Sequence, residues 1–128
     1  MKYLLDTHAL LWFLEDDLQL PDKIGKEIVN GNNKCFVSVA SLWEIAIKLS
    51  IGKLSLGFPF KKFASYLSNN DIELIPIELE HLIQVSDLNL YHRDPFDRVI
   101  IAQGIVEKLT VITKDDQFKK YPVKIMWK

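Results

Sequence analysis

The chain has 128 residues, 48% of them hydrophobic and 26% charged, with a net charge of −1. That length holds one domain with its own core, leaves no room for a second, and has the composition of a folded protein rather than a disordered one. The near-neutral charge argues against a broad basic face that grips duplex nucleic acid, so no direct DNA binding by this chain alone is expected.

In chain order, Lys2 to Asp6 reads as a first strand, with Thr7 capping a helix over His8 to Leu14 and Asp6 left at the strand's carboxyl end. Pro21 to Asn30 predicts a second helix, with Pro21 in its first turn and Gly31 as its stop. Cys35 to Ser38 reads as a strand, and Ala40 to Ser50, closed by Gly52, as a third helix with Glu44 inside it. A helix across Phe60 to Asn69 follows, then an extended piece at Ile72 to Ile77 and a helix over Leu79 to Leu88. Asp94 is placed as the N-cap of a helix from Pro95 to Lys108, with Asp97 at its third position in the manner of a capping box. Leu109 to Thr113 is the next strand, and Val123 to Trp127 a last edge strand.

Strands alternating with helices predict an α/β fold: one three-layer α/β/α domain over residues 1–128, built on a mostly parallel, twisted sheet with helices on both faces. No run approaches the ~20 apolar residues of a membrane span, and the start lacks the apolar region of a secretion signal. Cys35 has no internal disulfide partner, which suits a reducing, cytoplasmic setting.

Four acids each sit beside an apolar run: Asp6 after Tyr3-Leu4-Leu5, Glu44 within Ser41-Leu42-Trp43-Glu44-Ile45, Asp97 before Val99-Ile100-Ile101, and Asp115 after Val111-Ile112-Thr113. Carboxylates at the ends of buried elements are costly to desolvate unless paired or coordinated, so converging acids point to a hard divalent cation held by oxygen ligands, Mg²⁺ or Mn²⁺. In open parallel sheets ligands gather beyond the carboxyl ends of strands, where Asp6 and Asp115 are placed. Such an ion neutralises charge on a phosphate and generates a nucleophile from water, so phosphodiester hydrolysis is the expected reaction. Asp94 competes with Asp97, because a cap before Pro95 is a sufficient structural role for Asp94. Glu44 has a rival role as the i,i+4 partner of Lys48.

The stretches Leu4 to Trp12, Ser41 to Ile45, His92 to Gln103 and Val111 to Phe118 together resemble the PIN-domain family, and more narrowly the VapC-type ribonuclease toxins of toxin–antitoxin pairs. The resemblance runs from Met1 to about Lys120 and implies a metal-dependent endoribonuclease acting on single-stranded or loop RNA, with Asp6, Glu44, Asp97 and Asp115 as the catalytic, metal-holding acids. Asp97 takes the family's third acidic position, the Asp-Pro-Phe-Asp-Arg subgroup leaves Asp94 as a further metal ligand, and the Thr-x-Asp-x-x-Phe pattern prefers Asp115 over Asp116. It also implies a homodimer and a cognate antitoxin lying across the acidic site.

Thr7, Ser41 and Thr113 place hydroxyls where they can orient a carboxylate, with capping as their alternative role. Arg93 and Arg98 are the candidates for RNA phosphate contact. His8, His81 and His92 have no zinc-site spacing and read as surface or capping residues, His92 near the substrate. Trp12, Trp43, Phe58, Phe60 and Phe63 have the rings to stack bases but at their spacing read first as core or interface, and Leu54 to Phe60 as an apolar loop that either packs on the core or marks an interface.

Rival functions fit less well. A receiver domain wants an early acidic pair, and a haloacid-dehalogenase-like phosphatase wants Asp-x-Asp, where this chain has Asp6-Thr7-His8. A catalytically inactive PIN-fold binding module would more readily show one of the four acids replaced.

Overall fold

A computed structural model describes residues 1–128. The strands are β1 (Lys2–Leu5), β2 (Lys34–Ser38), β3 (Ile72–Ile75), β4 (Thr110–Ile112) and β5 (Ile125–Met126). The helices are α1 (Thr7–Leu14), α2 (Asp22–Val29), α3 (Val39–Ser50), α4 (Phe63–Asn69), α5 (Leu79–Asp87) and α6 (Pro95–Val106). Short 3-10 segments occupy Phe60–Lys62 and Asp116–Lys120.

The strands form one sheet in the order β3-β2-β1-β4-β5, and every neighbouring pair is parallel. The expected α/β architecture is therefore present, with a sheet that is wholly parallel. From β1 the chain winds outward through β2 to β3, then crosses to β4 and β5 on the other side. The winding reverses between β1 and β4, and a crevice at the carboxyl ends of these two strands follows from that reversal.

Side chains of β1 alternate between two cores. Tyr3 and Leu5 face one core with Ala9, Leu10, Ile24, Ile28, Ile45, Phe63 and Leu67 from α1 to α4. Leu4 faces the other, with Ile100, Ile101 and Ala102 of α6, Val111 of β4, Phe118 and Tyr121. Each such aliphatic side chain contributes roughly 1.5–3 kcal/mol on burial, so the strand ends are anchored from both faces.

Several expected details change. Thr7 is the first residue of α1 and not its cap; Asp6 is the cap, accepting the Ala9 amide proton. Pro21 occupies the N-cap position just outside α2 without a side-chain cap bond, and Asn30 follows its last turn. The helix expected over Phe60 to Asn69 is a 3-10 turn that becomes α-helical only at Phe63. Helix α6 stops at Val106, with Glu107 as its C-cap and Lys108 in the left-handed region at φ 57°. The apolar loop covers the core: Leu54, Leu56 and Phe58 pack against it, Phe58 stacking on Tyr66 with ring centroids 3.9 Å apart. Cys35 is a buried core thiol, pushed up to about 11 by burial and by Glu27.

Helix α6 lies so close to the sheet that a Cβ on Gly104 would come within 2.8 Å of Val123 Cγ2 and 2.9 Å of Val111 Cγ2. Overpacking costs ~1–3 kcal/mol while replacing a helical glycine by alanine gains up to ~1 kcal/mol, so Gly104→Ala is expected to lose stability on the order of 1 kcal/mol. Urea denaturation checks this; a stabilised variant would contradict the close approach.

Candidate functional site

The crevice at the ends of β1 and β4 has a volume of about 300 Å³. Five carboxylates line it, those of Asp6, Glu44, Asp94, Asp97 and Asp115, together with Lys48 and Lys114. All four acids of the main set therefore meet, and Asp94 joins them, although they come from four separate stretches of chain.

Local structure aims each one. Asp6, Asp94 and Asp115 each cap a helical segment through Oδ1: Asp6 accepts from the Ala9 amide at 2.9 Å, Asp94 from Phe96 and Asp97 at 2.9 and 3.0 Å, and Asp115 from Gln117 at 2.8 Å. Capping and site membership thus coexist in these residues, since a carboxylate has a second oxygen to turn elsewhere. The expected capping box at the start of α6 is only half formed, because the Asp97 carboxylate turns to His92. Phe96 packs edge-on to Trp43 of α3, ring centroids 5.2 Å apart, which draws the first turn of α6 toward the helix that carries Glu44.

The hydroxyls of Thr7, Ser41 and Thr113 divide between contacts to an acid and local bonding. Thr7 is buried; its hydroxyl donates to Glu44 Oε1 at 2.7 Å and is paired with the Ser41 hydroxyl at 3.0 Å. Thr113 Oγ1 accepts the Asp115 amide proton at 3.0 Å. Glu44 also takes its i,i+4 partner, Lys48 Nζ lying 2.8 Å from Oε2, while it lines the crevice. Asp116 instead is exposed and pairs with Lys119 outside the crevice.

Charge is not balanced here. Asp97 is pushed up to about 8, first by burial and then by Asp94, Asp6, Glu44 and Asp115. Asp6 is also raised, chiefly by burial, against the opposing pull of the Thr113 hydroxyl and the Ala9 amide. Carboxylate oxygens of this number in one crevice match the donor set of a hard divalent cation, which would relieve the repulsion that raises Asp97. Candidate ligand atoms of Asp97 and Asp115, with His92, lie within 4.8 Å of one another, and Asp6, Glu44 and Asp94 line the same crevice.

Other expectations shift. Arg98 does not line the crevice; its guanidinium donates to the carbonyls of Val85, Leu88, Asn89 and His92 at 3.0–3.3 Å, so it clasps a loop and is not poised for an RNA phosphate. Arg93 is exposed and also lies outside the lining residues. Trp12 is no core residue: it lines the crevice, stacks on His8, and lies under Lys114, whose Nζ is 5.9 Å from the ring centroid. His81 is a capping residue as expected but a buried one, with Nδ1 accepting the Glu78 amide proton and Nε2 2.7 Å from Glu107 Oε2. His92 is half-buried and touches Asp97 and Asp115. Its position two residues before the helix cap Asp94 was the one sequence signal that it faces the start of α6.

A family model described as the PIN domain matches residues 3–124. No curated protein matches the chain. Among solved structures, VapBC2 from Rickettsia felis bound to promoter DNA contains a chain similar at a TM-score of 0.72 and 20% identity, covering 98% of each chain. DNA-bound VapBC from Salmonella typhimurium is similar at a TM-score of 0.72 and 18% identity, covering 98% of this chain and 97% of that one. The PIN domain endonuclease Utp24 is more distant, at a TM-score of 0.52 and 15% identity, covering 93% of this chain and 74% of that one.

The raised Asp97 has a consequence for stability. Between the ordinary carboxylate value of 3.8 and about 8, the native state holds a proton that the unfolded chain has released, so stability falls as pH rises through that window. Metal-free protein is expected to melt at a lower temperature at about pH 9 than at about pH 5, and Asp97→Asn to flatten that slope. Melting curves across pH check it; a variant with the wild-type slope would contradict the crowding of charge.

Proposed function

Because the chain belongs to the PIN-domain family, we propose that it is a Mg²⁺- or Mn²⁺-dependent endoribonuclease that hydrolyses phosphodiester bonds of single-stranded or loop RNA. PIN domains are as a family nucleases, and the observation that carries the reading is the convergence of Asp6, Glu44, Asp94, Asp97 and Asp115 in one crevice. A divalent ion, when bound, neutralises charge at the scissile phosphate and lowers the pKa of an attacking water. The protein's own groups do the positioning. Thr7 and Lys48 fix the two oxygens of Glu44, and the helix caps fix one oxygen each of Asp6, Asp94 and Asp115. Lys48 and Lys114 offer charge to phosphates beside the scissile bond, and Trp12 a face on which a base can stack.

The biological setting is that of a toxin with a cognate antitoxin, acting as a homodimer in the cytoplasm. Support comes from structural relatives described as VapBC or toxin–antitoxin complexes. No helix is long and apolar enough to cross a membrane.

Incubation of the purified, partner-free protein with structured and unstructured RNA tests the reading. Cleavage is expected with Mg²⁺ or Mn²⁺, and none with EDTA or with the folded Asp6→Asn, Asp97→Asn double variant. Equal behaviour of wild type and variant would instead favour a PIN-fold binding module.

A further inference from the structure

His92 stands between two of the site's acids. Its Nε2 lies 2.8 Å from Asp115 Oδ2 and 3.0 Å from Asp97 Oδ2. The three groups sit close enough together to be taken for ligands of a single ion. The other ring nitrogen decides against that. Nδ1 accepts the backbone N–H of Asp94 at 3.2 Å. A neutral imidazole carries one proton, so with Nδ1 accepting, the proton is on Nε2, aimed at the carboxylates. An ion at Nε2 would require a bare lone pair there and would send the proton to Nδ1, donor against donor with the Asp94 amide.

We infer that His92 is a positioning residue, whose Nε2–H holds the Asp115 carboxylate beside that of Asp97 for a divalent ion that it does not itself ligate. This rests on the metal-dependent nuclease reading above and assigns a role within it. Asp97 comes from α6 and Asp115 from the turn after β4, and the imidazole is the group that touches both. Partners of this kind that orient metal-bound carboxylates commonly govern metal affinity.

The surroundings are built to hold the ring in place. The His92 amide donates to the Tyr121 hydroxyl at 2.8 Å, and that hydroxyl donates to the Asn89 carbonyl at 2.6 Å. The His92 carbonyl accepts from Arg98 Nη1 at 3.1 Å, and the same guanidinium reaches back to Val85, Leu88 and Asn89. The ring stands edge-on to buried Phe118, centroids 5.7 Å apart, and the side chain is only 12% exposed. A solvated surface histidine would have none of this support.

Two measurements on the full chain test the inference. In ¹⁵N spectra of the histidine ring nitrogens, His92 is expected to carry a proton on Nε2 and none on Nδ1, both without metal and with Mg²⁺. A proton on Nδ1, a doubly protonated ring, or loss of the Nε2 proton on adding Mg²⁺ would overturn it. By calorimetry, His92→Ala, checked for folding by circular dichroism, is expected to bind Mg²⁺ and Mn²⁺ each roughly 10–100-fold more weakly. His92→Gln, which returns an N–H donor, is expected to recover most of the loss. A loss confined to Mn²⁺ would mark the nitrogen as a ligand, since Mg²⁺ prefers oxygen. Wild type that binds metal and cleaves RNA, beside a His92→Ala variant that binds equally well, would overturn this inference alone. Wild type that binds neither ion would overturn the nuclease reading with it.

Discussion

Five carboxylates share one crevice because β1 and β4 lie side by side while the chain winds away from them in opposite directions. The parallel sheet imposes this crowding, and much of the surrounding structure answers it. Like charges in a partly buried space repel, and burial first, then the four neighbouring acids, push Asp97 up to about 8. Its place in the first turn of α6, where the helix dipole favours a negative charge, does not outweigh burial and four neighbouring acids.

The protein manages the charge by giving the acids defined partners. Three of them spend one oxygen on helix caps, which aims the carboxylate and adds the favourable field of a helix start. Glu44 is held by a threonine hydroxyl and a lysine. The loop between α5 and α6 is clasped by Arg98 and Tyr121 so that the His92 imidazole faces the remaining pair. Each device leaves carboxylate lone pairs unspent, so the arrangement is at once tolerable without a cation and receptive to one.

The sequence was informative wherever a local rule and the site coincided. Asp6 directly follows β1, so its direction is set by the strand's pleat, whereas Asp115 lies in the turn beyond β4 and was preferred over Asp116 through the Thr-x-Asp-x-x-Phe pattern. Asp94 was legible as a cap, since Pro95 after it sets the start of a helix. Treating cap and site as alternatives went too far, because one carboxylate has two oxygens. The contacts of Arg98 are not legible in sequence, because an arginine beside an acidic motif looks the same whether its guanidinium faces solvent or four carbonyls. His92 was underrated because its partners lie 5 and 23 residues further along the chain, beyond the reach of any helical or strand period.

What the sequence by itself determined was the set of elements and the chemistry at their ends: apolar runs of strand length, helices between them, and carboxylates at the junctions. Those follow from periodicity and capping, which act over a few residues. Only the tertiary structure decided the strand order β3-β2-β1-β4-β5, and with it which junctions became neighbours. Register and winding depend on how two hydrophobic cores close around the sheet, a sum over contacts distant in sequence. The imidazole between Asp97 and Asp115 and the guanidinium under its loop are products of that closure.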